Sequence, residues 1–265
     1  MKQLKIVAAV VSFLAIIVWA ASSSAQERVT VDVNYVGGEL MRSVRFPSAP
    51  GPNLRHGHKY VVNGIDIEAV ASITEIVAVE GRYQRKVLGN ARYFTDLDIS
   101  GFRGRHEEPD FGADSQKTDY IEVAGSMRLP KTHGHSLLVG VARATTEQRW
   151  RWEDPFGGIY RHRNRSDYLG LVYGVEGTQG LGSLTFDYSA RRYYHLMRKV
   201  NDAPNRLPAS GFELGGSATW AIAEHFGVRG GYSFRRLHTE VGTTPFESQE
   251  NNDDHGPVVG IRLSF

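Results

Sequence analysis

The chain ends on Gly256-Pro257-Val258-Val259-Gly260-Ile261-Arg262-Leu263-Ser264-Phe265, and the reading of these ten residues decides the fold. In an extended strand successive side chains point to opposite faces. Val259, Ile261, Leu263 and Phe265 therefore share one face, with Val258, Gly260, Arg262 and Ser264 on the other. Terminal residues ordinarily fray, so an alternation that persists to a final aromatic residue requires a neighbouring strand that holds the C terminus. The last core strand of a secreted β domain would alternate in the same way, and the rest of the chain has to discriminate.

The opposite end places the chain outside the cytoplasm. Lys2 and Lys5 precede an apolar run from Ile6 to Ala21, followed by small residues at Ser23 and Ala25 before Gln26. A charged start, an apolar middle and a small-x-small site form the pattern of a cleavable signal peptide. The run is shorter than the roughly 20 residues that span a bilayer as a helix. The expectation is a signal peptide over 1–25 and one domain over 26–265. The sequence has no cysteine, which excludes a disulfide framework, a thiolate metal site and a lipid-anchored cysteine. Net charge is +2 with no dense basic tract beside interleaved aromatics, so nucleic acid is not an implied partner.

Working back from the C terminus, period-two segments alternate with connections that are long and short in turn. The polar stretch Val241–His255 reads as a long loop, and "AEH" (223–225) as a short link between strands bearing Phe226, Val228, Tyr232, Phe234 and Phe212, Leu214, Ala218, Trp220 on one face. Residues 196–210 read as long, "GTQG" (177–180) as short, 152–166 as long, "PKTHG" (130–134) as short, 104–117 as long and "KVLGN" (86–90) as short. The first strand is "RVTVDVNY" (28–35), with a long connection from Gly37 to about Asn63. "GIDIEAVASI" (64–73) reads as an extension of the second strand, there being no turn signal after it.

The predicted fold is all-β: ten strands in an antiparallel up-and-down barrel, with five long connections at one end and four short turns at the other, or eight strands if the residues before about Gly64 stay outside the sheet. Bacterial transmembrane barrels have an even strand number, short periplasmic turns and longer extracellular loops. A soluble sandwich has no reason to sort its loops by length. In lipid the sheet must close to satisfy every backbone donor and acceptor, so the apolar face points outward. The polar face, bearing Asp66, Glu68, Glu80, Arg82, Asp96, Asp98, Glu122, Asp187, Arg229 and Arg262, then fills a narrow lumen as an ion-paired plug rather than a water-filled channel. Outward aromatics near strand ends form two girdles: Tyr83, Tyr93, Trp220, Phe226 and Phe265 at the turn end, and Tyr35, Phe212 and Phe234 at the loop end.

A terminal strand alternating to a final Phe resembles the C-terminal signal by which Gram-negative outer-membrane β-barrel proteins are recognised for assembly and closed against their first strand. The resemblance implies that Val259, Ile261, Leu263 and Phe265 form that signal, and that the partners are the barrel assembly machinery, outer-membrane lipid and lipopolysaccharide, around a monomer in the bacterial outer membrane. Ten strands and five loops look like the omptin proteases or the ten-stranded adhesins. The omptin resemblance implies acidic residues and an Asp-x-His pair at the loop end. Glu107, Glu108, Asp110 and Asp114 stand in the second loop, and His195 and Asp202 in the fourth, but no Asp-x-His spacing occurs there. No catalytic residue is assigned.

Other constellations are weaker. The triplets His56–His58 and His133–His135 fall at opposite ends of the barrel and cannot share an ion, and two ligands alone make a poor site, so no metal or cofactor is expected. No Ser, His and acid stand in a lipase-like signature. In the third loop Arg151, Arg161, Arg163 and Arg165 accompany Trp150, Trp152 and Tyr160. Guanidinium groups pair bidentately with phosphate, which makes these four arginines the candidate lipid-phosphate contact. The expected role is structural or surface-interacting, with a narrow porin-like channel and an omptin-like hydrolase as alternatives.

Overall fold

The computed structural model describes residues 29–45, 53–99, 102–109, 113–132, 134–153, 159–200, 203–205, 209–241 and 248–265. The signal-peptide expectation for 1–25 lies outside them. Ten long strands form the wall: β1 (Val29–Arg45), β2 (Asn53–Ser72), β3 (Val77–Ile99), β5 (Ala113–Arg128), β6 (His135–Glu153), β7 (Ile159–Leu181), β8 (Leu184–Val200), β10 (Ala209–Ala223), β11 (Phe226–Val241) and β12 (Ser248–Ser264). Two short strands, β4 (Phe102–Pro109) and β9 (Ala203–Asn205), ride on the loop-end halves of β3 and β8. Each long strand pairs antiparallel with the next, β8 pairs with β10, and β12 closes on β1. The Phe265 N–H donates to the Val29 carbonyl (2.9 Å) and the Val29 N–H to the Phe265 carbonyl (3.1 Å). Those two bonds are what hold the last residue in place.

The strand count of ten is correct, but the sequence reading reached it through two errors that offset each other. "GIDIEAVASI" belongs to β2, a strand in its own right, and residues 73–76 form the turn before β3. No Gly, Pro or Asn marks this turn because Thr74 makes it: its Oγ1 accepts from the N–H of Ile76 (3.2 Å) and Val77 (3.0 Å), a hydroxyl turn. Conversely, "KVLGN" is no turn. β3 runs through it, and a register shift against β2 at Lys59/Val61 absorbs the irregularity. The eight-strand alternative falls, since Asn53–Ser72 is in the sheet. "GTQG" likewise lies inside β7; the turn is Gly182–Ser183, with Gly182 at φ 64°, a conformation for which glycine carries no steric cost.

The connections read as long loops are largely strand. β1 continues to Arg45, β8 to Val200, and β6 and β7 carry the third connection's Trp150, Trp152 and Tyr160 in a hairpin stem. Tyr93, assigned to the turn end, lies in the loop-end half of β3 opposite His58. Tyr83 reaches upward instead of marking the inner girdle, its hydroxyl donating to Asp119 (3.3 Å).

The two faces sort as an outer-membrane barrel requires. Val33, Ile65, Ile121, Val139, Val141, Leu171, Leu214, Val228, Val259 and Ile261 are exposed on the outside, while Asp32, Asp66, Glu80, Glu122, Arg191 and Glu213 are buried inside. That is the reverse of a soluble sandwich.

Candidate functional site: the charged lumen and the outer arginine face

Two places concentrate charge. The first is the bore. Arg82 on β3 donates through Nε and Nη2 to both oxygens of Asp66 (2.7–3.2 Å) and through Nη1 to Glu213 on β10 (2.6 Å). Arg235 on β11 donates Nε to the same Glu213 (2.6 Å) and Nη1 to Gln84 (3.1 Å). Its guanidinium carbon lies 4.6 Å from the Tyr120 ring centre and 5.6 Å from that of Tyr193, within cation–π range. Tyr193 donates to Glu213 (2.9 Å), and the two tyrosines meet edge to face at 6.0 Å. This layer crosses the bore from β3 to β11.

Toward the turns, one guanidinium gathers four carboxylates. Arg191 on β8 meets Glu122 (2.8 Å), Glu68 (3.0 Å), Glu80 (3.5 Å) and Glu176 (3.7 Å). Lower still, Arg262 binds both oxygens of Asp32 (2.8 Å each) and reaches Asp187 (2.8 Å), and Arg229 pairs with Asp32 and bonds Ser217 (2.8 Å). Toward the loops, Lys86 pairs with Asp254, beside an inward apolar cluster of Leu40, Tyr60, Val62 and Leu88. Every group in the lattice comes from a strand position of inward phase, which is why the cross-bore pairs follow once the barrel closes.

Below the Arg82–Glu213 roof lies a cavity of about 440 Å³, lined at its turn end by Thr30, Ser72, Arg128 and Thr178. Among the described residues the lattice between Asp32 and Arg235 holds eight carboxylates (Asp32, Asp66, Glu68, Glu80, Glu122, Glu176, Asp187, Glu213) against five guanidinium groups (Arg82, Arg191, Arg229, Arg235, Arg262).

The second place is the outer wall above the aliphatic belt. Outward positions of β3, β5, β6 and β7 bring Arg85, Lys117, Arg143, Arg149, Arg163 and Arg165 onto one face, through the pairs Arg85↔Asp119, Lys117↔Glu147, Glu147↔Arg165 and Arg149↔Arg163. Three acids share it: Asp119, Glu147 and Asp167. Arg163 bonds Glu147 (2.8 Å), as does Arg149 (3.0 Å), and Arg165 pairs with Asp167 (3.0 Å). Arg143 and Arg163 both keep 61% of their side-chain surface in solvent. The hydrogen bond from Arg163, with one from Arg149, holds the Glu147 carboxyl below its ordinary range.

Of the four arginines singled out from sequence, Arg163 and Arg165 are on this face. Arg151 and Arg161 pair with each other one step further along the same ladder, and their side chains lie outside the described residues. Arg85, Lys117, Arg143 and Arg149 were missed; Arg149 continues the i, i+2 series with Arg151 and was legible, whereas the others join only through strand register. Val259, Ile261, Leu263 and Phe265 all stand on the outward phase of β12, between β1 and β11. His56 and His58 are on β2 near the loops and His135 is at the turn end of β6, bonded to the Tyr188 hydroxyl (2.5 Å). His133 lies outside the described residues, as do Asp110 and Asp202, while Glu107 and Glu108 are on β4 and Asp114 on β5. The side chains of Asp96 and Asp98 are also outside them.

No protein-family model matches the chain, nor does any curated protein sequence. Among solved structures it resembles the outer membrane protease OmpT from Escherichia coli, at 8% identity and a TM-score of 0.54, over 91% of this chain and 97% of that one. The translocator domain of the autotransporter NalP from Neisseria meningitidis aligns over 98% of both chains at 12% identity and a TM-score of 0.43. At these identities the likeness concerns fold. The fold is that of the outer-membrane β-barrels, closed by ten antiparallel strands in omptin-like topology.

Proposed function

We propose that this protein is an outer-membrane surface barrel whose outer wall binds the phosphates of lipopolysaccharide through the arginine face of β6 and β7. The observation that carries this reading is the excess of basic over acidic side chains on that face, placed directly above Leu169, Leu171 and Val141, which are exposed to the lipid side. Arg143 and Arg163 reach outward from rigid strands, and guanidinium groups bind phosphate bidentately. The channel alternative is disfavoured by the ion-paired layer across the bore, and the hydrolase alternative by the lack of an Asp-x-His spacing in the fourth connection, residues 193–204.

The test is lipid A binding by the folded barrel in detergent. Replacing Arg143, Arg149, Arg163 and Arg165 together by Gln should weaken binding about a hundredfold, as expected when several charge-assisted contacts are lost at once. Wild-type affinity for dephosphorylated lipid A should fall equally. Undiminished affinity in the fourfold variant would refute the proposal. In planar bilayers the wild type should show no steady conductance, and a stable open pore would favour the channel instead.

A further inference from the structure

We propose that Arg192 on β8, framed by Tyr173 and Tyr194, is a second lipid-phosphate site, sunk into the apolar wall and separate from the arginine face of β6 and β7. The wall around it is otherwise uncharged. Outward positions run from Leu169 to Leu181 on β7, from Leu184 to Tyr194 on β8 and from Ser210 to Ile222 on β10, and Arg192 is the one charged side chain among them. Its neighbours across the sheet are Tyr173 and Phe212, with Ala190 and Tyr194 two residues away on its own strand.

Position makes this charge expensive. The apolar wall reaches down to the turns, where Leu181, Trp220 and Ile222 are exposed. Arg192 stands eight residues beyond Leu184, the first residue of β8. At roughly 3.4 Å per residue and a tilt near 40° that is a rise of about 20 Å, inside an apolar band of about 25 Å and within side-chain reach of its outer edge. Ionisable groups at membrane depth ordinarily pair with something. Among the described residues the exposed Arg192 guanidinium has no ion-pair or hydrogen-bond partner, and neither has the half-exposed hydroxyl of Tyr173 or Tyr194.

The donors define the ligand. One guanidinium and two phenols, within about 7 Å of one another across and along the strands, suit an oxyanion: the guanidinium takes two oxygens and a phenol the next. Leu171 and Leu214, both exposed beside them, offer apolar surface to acyl chains. A phosphate carried on a lipid fits both surfaces, and a free phosphate only one. The site is distinct from the first face. Arg143 is two strands away and four residues further up the wall than Val139, which shares the ladder of Tyr173 and Arg192. That separation is roughly 16 Å, too far for one phosphate group to span.

Native mass spectrometry of the folded full barrel tests the proposal, with dioleoyl phosphatidic acid as the probe and dioleoylglycerol as the phosphate-free control. The wild type should saturate with two phosphatidic acids and hold no diacylglycerol. Arg192→Leu should weaken one of the two sites about tenfold, as when a bidentate charge-assisted contact is lost. The variant with Arg143, Arg149, Arg163 and Arg165 replaced by Gln should keep one phosphatidic acid, and adding Arg192→Leu should remove it. A reading that needs no variant is a phosphatidic acid with a photoreactive group near its headgroup, which should label Phe212 or Leu214. Binding unchanged by Arg192→Leu would overturn this site and leave the β6 and β7 reading standing, whereas a single lipid lost only with Arg192 would do the reverse. Displacement by inorganic phosphate at equal concentration, or a wild-type dimer that Arg192→Leu turns into monomers, would also overturn the proposal.

Discussion

The lumen and the outer wall are built from the same two kinds of side chain, arginine and carboxylate, to opposite effect. Inside, Arg191 and Arg82 are nearly sealed from water and each touches two or more acids held by other strands. Outside, Arg163 and Glu147 pair at 2.8 Å with most of the guanidinium in solvent. Breaking a buried pair strands its partner in low dielectric, whereas an exposed pair is screened and contributes little. The lumen lattice therefore holds the barrel together, and the outer arginines stay available to a ligand.

The sharpest test of this contrast is Arg191→Met. It leaves four glutamates around a thioether, and the urea midpoint of the folded barrel should drop by the equivalent of about 3–5 kcal/mol. A change as small as that of an exposed pair would mean the acids are neutralised without Arg191. Next in size is Val139→Arg, which puts a charge on the lipid-facing wall at a residue 65% exposed. It should cost about 2–4 kcal/mol if Val139 lies near the bilayer midplane, whereas the arginines higher on β6 and β7 are tolerated.

A third change probes the closing seam, where no charge is involved. A Cβ at Gly256 would stand 1.8 Å from the Gly37 carbonyl oxygen, so Gly256→Ala should lose about 1–3 kcal/mol by overpacking and slow the heat-modifiable gel shift. The smallest effect belongs to Arg163→Gln, which should alter stability by under about 1 kcal/mol. It should still raise the midpoint of Glu147 in an NMR titration toward the unperturbed 4.5. The sign follows from the lowered carboxyl: the pair contributes above the unfolded midpoint and is lost as pH falls through the folded one.

Much of the wall was legible because period two is enforced by lipid on one side and a polar bore on the other. The alternation in Leu214, Trp220, Val228 and Ile261 against Glu213, Arg229 and Arg262 is what the barrel displays. Punctuation was harder to read. The Thr74 turn carries no glycine or proline, and Gly89-Asn90 looks like a turn yet sits inside β3, where the neighbouring strands hold the chain extended. Cross-bore partners were out of reach. Arg82 and Glu213 are 131 residues apart, and Arg191 and Glu68 123, so their meeting depends on closure and register. The outer face was half visible for the same reason: Arg163 and Arg165 belong to one strand, but Arg85 and Lys117 arrive by pairing.

The length of the strands carries a consequence for how a cell would present this protein. β3 and β7 each run for 23 residues; at roughly 3.4 Å per residue and a tilt near 40°, such a strand rises about 60 Å, well beyond an apolar band of about 25 Å. Set in such a band, the described part of the barrel would project chiefly as paired strand. An antibody or phage meeting it would contact side chains two residues apart on one strand together with their neighbours across the sheet. Such epitopes would vanish on boiling, and peptides copied from any single segment would reproduce them poorly.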